Sequence, residues 1–274
     1  MLFREEEEEK VGLTTEILKG IMESLGEKRP VFHSEADFQF ELAWAIKEAM
    51  GEECQIRLEY PVFVNENLGD NRGDRWYIDI IVLIKDGENW DWIPIELKYK
   101  TRIPKNEEQP FTKMTHGIEE DYYLKNQSAQ DISRYLFWKD VHRVESLVKP
   151  GSREKTLKYP RQQHLNWNSG YVIFLSNDPH FRKYPEDPEE GQENSDKMPP
   201  SYRQFSMIDG TRTQENITMH WTKNNEIIPK EESRKDKSPI DIKGAYEIKW
   251  GKYSGESSDE DDMFKYVCLE IKRD

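Results

Sequence analysis

The 274-residue chain has only two cysteines, Cys54 and Cys268. They are too few and too far apart in sequence for a disulfide framework or a cysteine-based zinc cage. No apolar run approaches the roughly 20 residues that a bilayer crossing needs, and the opening MLFREEEEEK has neither the basic start nor the hydrophobic stretch of a secretory signal. These absences point to a soluble, cytoplasmic protein with no membrane partner. An excess of positive charge is also missing. Lysine and arginine number 40 against 54 acidic residues, a net charge of -14, which excludes a uniformly basic nucleic-acid coat protein. The middle of the chain, residues 101–170, is the least acidic part.

Two catalytic signatures are absent as well. The histidines at 33, 116, 142, 164, 180 and 220 form no compact HxH or HExxH pattern, which argues against a histidine-rich zinc centre. Gly69 and Gly73 lack the lysine-serine or lysine-threonine ending of a phosphate-binding loop, so no ATPase is suggested. What remains is a chain with 35% hydrophobic residues, enough to bury a core.

The first helical signal is VGLTTEILKGIMESLG, with Ile17, Leu18, Ile21 and Leu25 on one face. The second, HSEADFQFELAWAIKEAMG, offers Ser34 as N-cap, an apolar stripe through Phe38, Leu42, Ala45, Ile46 and Ala49, and Gly51 as a stop. QIRLEYPVFV reads as a strand, and RWYIDIIVLI and WIPIELKYK read as a hairpin turning at Asp86–Gly87. After a polar connector over 101–116, residues 117–148 are expected to be helical, most securely from Ser128 onward. NSGYVIFLSND then gives a buried strand. The predicted arrangement is mixed α/β. Residues 1–33 form an acidic segment and packing helix, and 34–177 form the core. Residues 178–206 make a flexible polar insertion, and 207–274 a β-rich extension packed on the core.

Chemistry concentrates in the hairpin. Asp79 interrupts an almost wholly apolar strand, and Glu96 and Lys98, one residue apart on the next strand, point to the same side. Two carboxylates can share a divalent cation through oxygen ligands. A neighbouring ammonium can orient water or neutralise charge on a phosphate. The ordinary alternative is a weak surface ion pair. Against it, both carboxylates lie in core-like strands, where an unpartnered charge is expensive to bury.

These residues resemble the PD-(D/E)xK, or restriction-endonuclease-like, nuclease superfamily. The resemblance covers residues 34–177, with Asp79 at the acidic position of the motif strand, Glu96-Leu97-Lys98 as the ExK element and Glu41 in the preceding helix. Ile78 stands where the motif often carries proline. The resemblance implies an αβββαβ core with a mixed sheet flanked by helices. It also implies a divalent-metal-dependent deoxyribonuclease using Mg2+, with Mn2+ able to substitute. Asp79 and Glu96 would be metal ligands, Glu41 a further ligand candidate, and Lys98 the group that positions water. Asp74 is a weaker candidate for Glu41's role.

Beside this set, Lys100, Arg102 and Lys105 continue a basic run that could guide a nucleic-acid backbone. On the long helix and its approach, Gln127, Gln130 and Arg134 could hold a phosphate or water. Arg134 could equally pair with Asp131 at the surface. DNA is the expected partner, with a homodimer as the arrangement for cutting two strands. An RNA-directed nuclease and a catalytically silent scaffold binding nucleic acid or protein are the competing readings. The net charge suits the scaffold slightly better.

Overall fold

The computed structural model describes residues 12–65, 74–104, 108–127, 129–183, 204–223, 226–227, 238–254 and 263–273. The acidic opening, Lys105, Ser128, most of the 178–206 insertion and much of the polar runs of the C-terminal part lie outside them. Helix α1 (Thr15–Lys28) is capped by Thr14, whose side chain accepts from Ile17 N at 3.2 Å. Helix α2 (Glu35–Met50) is capped by Ser34, which accepts from Asp37 N at 3.1 Å, and it ends at Gly51 with φ 70°. Three strands follow: β1 (Cys54–Phe63), β2 (Arg75–Asp86) and β3 (Asn89–Lys100). Gly87, at φ 59°, makes the β2–β3 turn.

Residues 117–127 are not helical. A short hairpin, β4 (Phe111–Thr115) and β5 (Ile118–Tyr122), occupies this stretch and turns at His116 and Gly117, with φ 48° and 80°. Two successive left-handed residues are the signature of a tight hairpin turn, and this local chemistry overrides the loose apolar spacing that suggests a helix. The long helix α3 (Gln130–Val148) starts after Ala129, itself at φ 70°. Short helices α4 (Pro150–Thr156) and α5 (Pro160–Gln163) lead to β6 (Asn166–Trp167) and β7 (Ser169–Ser176).

The C-terminal part contributes β8 (Ile217–Met219), β9 (Thr222–Lys223), β10 (Glu226–Ile227), β11 (Ile240–Ile242), β12 (Trp250–Ser254) and β13 (Phe264–Lys272). Within this part the SMIDG stretch, residues 206–210, is not a strand but a packed turn region containing buried Met207.

The main sheet runs β1-β2-β3-β7-β13-β12, with β6 beside β3. It is mixed: β3 pairs in parallel with β6 and β7, and the other neighbours are antiparallel. The β-rich extension therefore continues the sheet through β13 and β12. One face packs α1 and α2 on Ile80, Val82, Ile95, Leu97, Tyr99 and Ile173. The other packs α3 on Val172, Phe174, Val267 and Leu269. Helix α3 is also tied to the extension by Glu145. This buried carboxylate accepts from Lys243 N (2.8 Å), Gly244 N (2.6 Å) and the Tyr246 hydroxyl (2.7 Å). Among the described residues no helix is long and apolar enough to cross a membrane.

Candidate active site

The site forms where β2 and β3 part. Their ladder runs from the Asp86–Asn89 turn to the pair Ile80–Ile95 and stops there. One step further in the same register Asp79 stands across from Glu96, near enough for its charge to act on the Glu96 carboxyl. The Asp79 side chain replaces the lost rung: its Oδ2 accepts from Leu97 N at 2.6 Å. On the other edge of β2, the β1 register passes from Leu58–Ile80 to Tyr60–Ile78, skipping Glu59, which has φ 49°. A left-handed non-glycine residue opposite Asp79 is a local strain of the kind that concentrates at functional sites. Gln39 of α2 bridges the irregularity, donating to Asp79 O at 2.6 Å and to Glu59 Oε1 at 3.0 Å.

Strand alternation puts Glu96 and Lys98 on the α3 side of β3, next to Val172 and Phe174 of β7. Helix α3 answers with two charged residues absent from the candidate set, Asp140 and Arg143. Lys98 Nζ lies 2.8 Å from Asp140 Oδ2 and donates to Leu97 O at 2.8 Å. Arg143 Nη2 lies 3.2 Å from Glu96 Oε1 and donates to Tyr77 O at 2.7 Å. Arg143 Nη1 approaches Asp140 Oδ1 at 3.5 Å, and its guanidinium carbon sits 5.5 Å from the centre of the Trp76 ring. Glu96 is 1% exposed.

The electrostatics follow from this crowding. Burial pushes the Glu96 carboxyl well above its ordinary range. Arg143 opposes the rise, while Asp79 and Asp140 add to it. Asp79 is raised by burial too, against the pull of Lys98 and of the Leu97 amide. Burial pulls the Lys98 value down, but Asp140, Glu35, Asp79 and Glu96 outweigh it and hold the ammonium above the usual lysine value.

The other candidates separate from this cluster. Both oxygens of Glu41 are engaged elsewhere, with Arg29 Nη1 at 2.8 Å and His116 Nε2 at 3.2 Å. The α2 carboxylate that influences Lys98 is Glu35, which accepts from Tyr99 N at 2.8 Å. Glu35 lies nearly two turns before Glu41, at the end of the helix nearer the divergent part of β3. Lys100 is drawn to Glu35 at 3.5 Å. The Arg102 backbone pairs with the Asn177 side chain, and Gln127 is spent on Thr101 N at 3.3 Å. Gln130 donates to Asp178 Oδ2 at 3.2 Å.

Arg134 is neither a phosphate clamp nor a surface partner of Asp131. It is fully buried, donating to His180 O and lying over Phe181. Its role there is to fix the turn after β7. Asp74 pairs with Lys158 at 2.6 Å.

Asp79 and Glu96 form an oxygen-only donor pair. Among the described residues no group of three or more His, Cys, Asp or Glu side chains is arranged to hold a metal ion. Two carboxylates suit Mg2+ or Mn2+, since Mg2+ is bound through one or two carboxylates while keeping several waters. The buried Glu96 Oε1 makes no well-directed hydrogen bond although Arg143 Nη2 lies 3.2 Å from it, so its acceptor capacity is only partly used. Compared with family models, with curated proteins and with solved structures, the chain finds no match.

Proposed function

We propose that the protein is a divalent-metal-dependent nuclease of the PD-(D/E)xK, restriction-endonuclease-like type, hydrolysing phosphodiester bonds in DNA. The observation that carries this reading is the facing pair Asp79 and Glu96, with Lys98 on the same face as Glu96, at the point where β2 and β3 diverge. The order helix, three antiparallel strands, helix and a strand parallel to β3 supports it, because that order is what the resemblance implies.

Asp79 and Glu96 would hold the ion, which when bound supplies Lewis-acid charge that activates water and offsets negative charge on the phosphate. Lys98 remains an ammonium and can orient the attacking water or stabilise charge on the phosphate oxygen. Asp140 sets the direction of that ammonium from α3. Gln39 and the Leu97 amide fix the Asp79 backbone and carboxylate. A silent scaffold of the same type is favoured by one observation, the Lys98–Asp140 and Arg143–Glu96 pairings that already neutralise much of the cluster.

Cleavage assays with Mg2+ or Mn2+ on single-stranded, duplex and branched DNA and on RNA separate these readings. The wild type is expected to cut DNA, and Asp79→Ala and Glu96→Ala to abolish cutting. Lys98→Ala is expected to keep metal binding while losing about a hundredfold or more in turnover. Absence of both metal binding and cleavage across the panel sinks the nuclease. Equal residual activity in all preparations points to a contaminant.

A further inference from the structure

One largely buried cluster sets three acidic groups, Asp79, Glu96 and Asp140, against two cations, Lys98 and Arg143. A carboxylate as buried as Glu96 beside a like charge is costly unless a positive group stands against it. Lys98 donates to Leu97 O and lies against Asp140 Oδ2, both at 2.8 Å, although that Asp140 oxygen, like Glu96 Oε1, receives no well-formed hydrogen bond. The remaining group is Arg143, and its hold on Glu96 is loose in direction: at 3.2 Å the pair is close, yet Glu96 Oε1 receives no well-formed hydrogen bond.

Arg143 has other anchors. Tyr77 O takes a hydrogen bond at 2.7 Å, Trp76 offers its ring face, and Asp140 Oδ1 lies 3.5 Å away, one turn back on the same helix. A short swing toward Asp140 would keep the guanidinium partnered while releasing Glu96. Resting on the reading of Asp79 and Glu96 as the metal pair, we propose that Arg143 is the resident counter-cation of the metal-free protein. It balances Glu96 until a divalent ion enters, then shifts fully onto Asp140, which it already approaches at 3.5 Å. Arg143 is thus a positioning residue that sets the affinity of the site and couples ion entry to a rearrangement on α3.

The test is calorimetric titration of Mn2+ alone into the full chain, as wild type, Arg143→Gln and Asp79→Asn. Wild-type protein labelled with 15N-arginine is followed in parallel, with the Arg143 Nε resonance assigned by its loss in Arg143→Gln. Removing a unit charge a few ångströms from the pair is expected to tighten Mn2+ binding on the order of tenfold in Arg143→Gln. Asp79→Asn is expected to lose binding. In the wild type, diamagnetic Mg2+ should shift the Arg143 resonance. Mn2+ bound equally well by wild type and Arg143→Gln, or an Arg143 resonance indifferent to Mg2+, overturns the exchange while leaving the metal pair in place. No Mn2+ binding by either protein overturns both. If Arg143→Gln does not fold, Arg143→Lys supplies the assignment, and the response of the wild-type resonance to Mg2+ decides the exchange.

Discussion

At Asp79 and Glu96 the fold works against ionisation. Both carboxyl groups are raised above their ordinary values, chiefly by burial. The native state therefore holds protons that the unfolded chain has already released. The stability these groups contribute is fully present below the unfolded-chain values, about 4, and is lost as pH rises toward the folded values. Lys98 has the opposite charge type and a raised value, so its contribution stays intact until far more alkaline pH.

With chelator present, the wild type is accordingly expected to lose thermal stability as pH climbs from about 4 toward the raised folded values. Asp79→Asn, which removes one of the two facing charges, should show a shallower decline. Thermal unfolding in chelator across that range checks this, and parallel curves for the two proteins would contradict it. Asp79, Glu96 and Lys98 are legible in the sequence because charge inside an Ile- and Leu-rich strand demands a partner. Asp140 and Arg143 are not, since charges on a helix normally read as its wet face. Helix α3 is buried on nearly every side, so its charges point inward. The i,i+3 opposite pair enclosed by Trp138, Val141 and Val144 is the one signal of this in the sequence.

Among the elements, α3 must sit close to β7 for Asp140 and Arg143 to reach β3. Gly170 makes that approach: a Cβ there would meet Val144 Cγ1 at 2.4 Å and Pro94 O at 3.0 Å. Gly170→Ala is expected to cost about 1–3 kcal/mol by pushing α3 off the sheet. It should also lower metal affinity beyond what the stability loss explains, because Val144 adjoins Arg143. Gly151→Ala, with nothing within 4 Å of the added carbon, serves as the control and should stay within about 0.5 kcal/mol of the wild type. Thermal midpoints and Mn2+ titrations of the two variants decide the matter, and equal behaviour would show that Gly170 does not set the position of α3.

The same scale shows where sequence periodicity works. Helix α2 and the β2–β3 hairpin carry both cap or turn residues and apolar spacing, and both can be read from them. The β4–β5 hairpin cannot: His116 supplies a left-handed turn residue that its identity does not advertise. Glu41 is misplaced by the same reasoning because helical spacing gives a face but not the distance along the axis to a strand end.

Over the whole molecule, the last strand is not an appendage. β13 lies between β7 and β12, pairing with β7 from Lys265–Ser176 to Lys272–Ser169. Tyr171, on the strand beside β3, donates to Leu13 O at 2.8 Å, and the Tyr253 hydroxyl donates to Arg29 O at 2.9 Å, so both ends of the described chain close on one core. Amide exchange should therefore protect the centre of β13 as strongly as β3 and β7, with the edge strands β1 and β12 opening first. Early exchange of β13 as a separate unit would refute a single cooperative sheet. The sequence shows short C-terminal strands without saying which neighbour they join, because long-range pairing leaves no local mark.

The alternation of β3 has an evolutionary consequence. Its odd positions, Ile95, Leu97 and Tyr99, fill the α1–α2 core, while its even positions, Glu96 and Lys98, carry the proposed site. Inserting or deleting one residue upstream in this strand would exchange the two sets, driving charge into the core and grease into the cleft. Such a change cannot erase the chemistry and spare the scaffold. Lineages of this chain can lose the site by substitution, residue by residue, but a single-residue length change in β3 would cost them the protein.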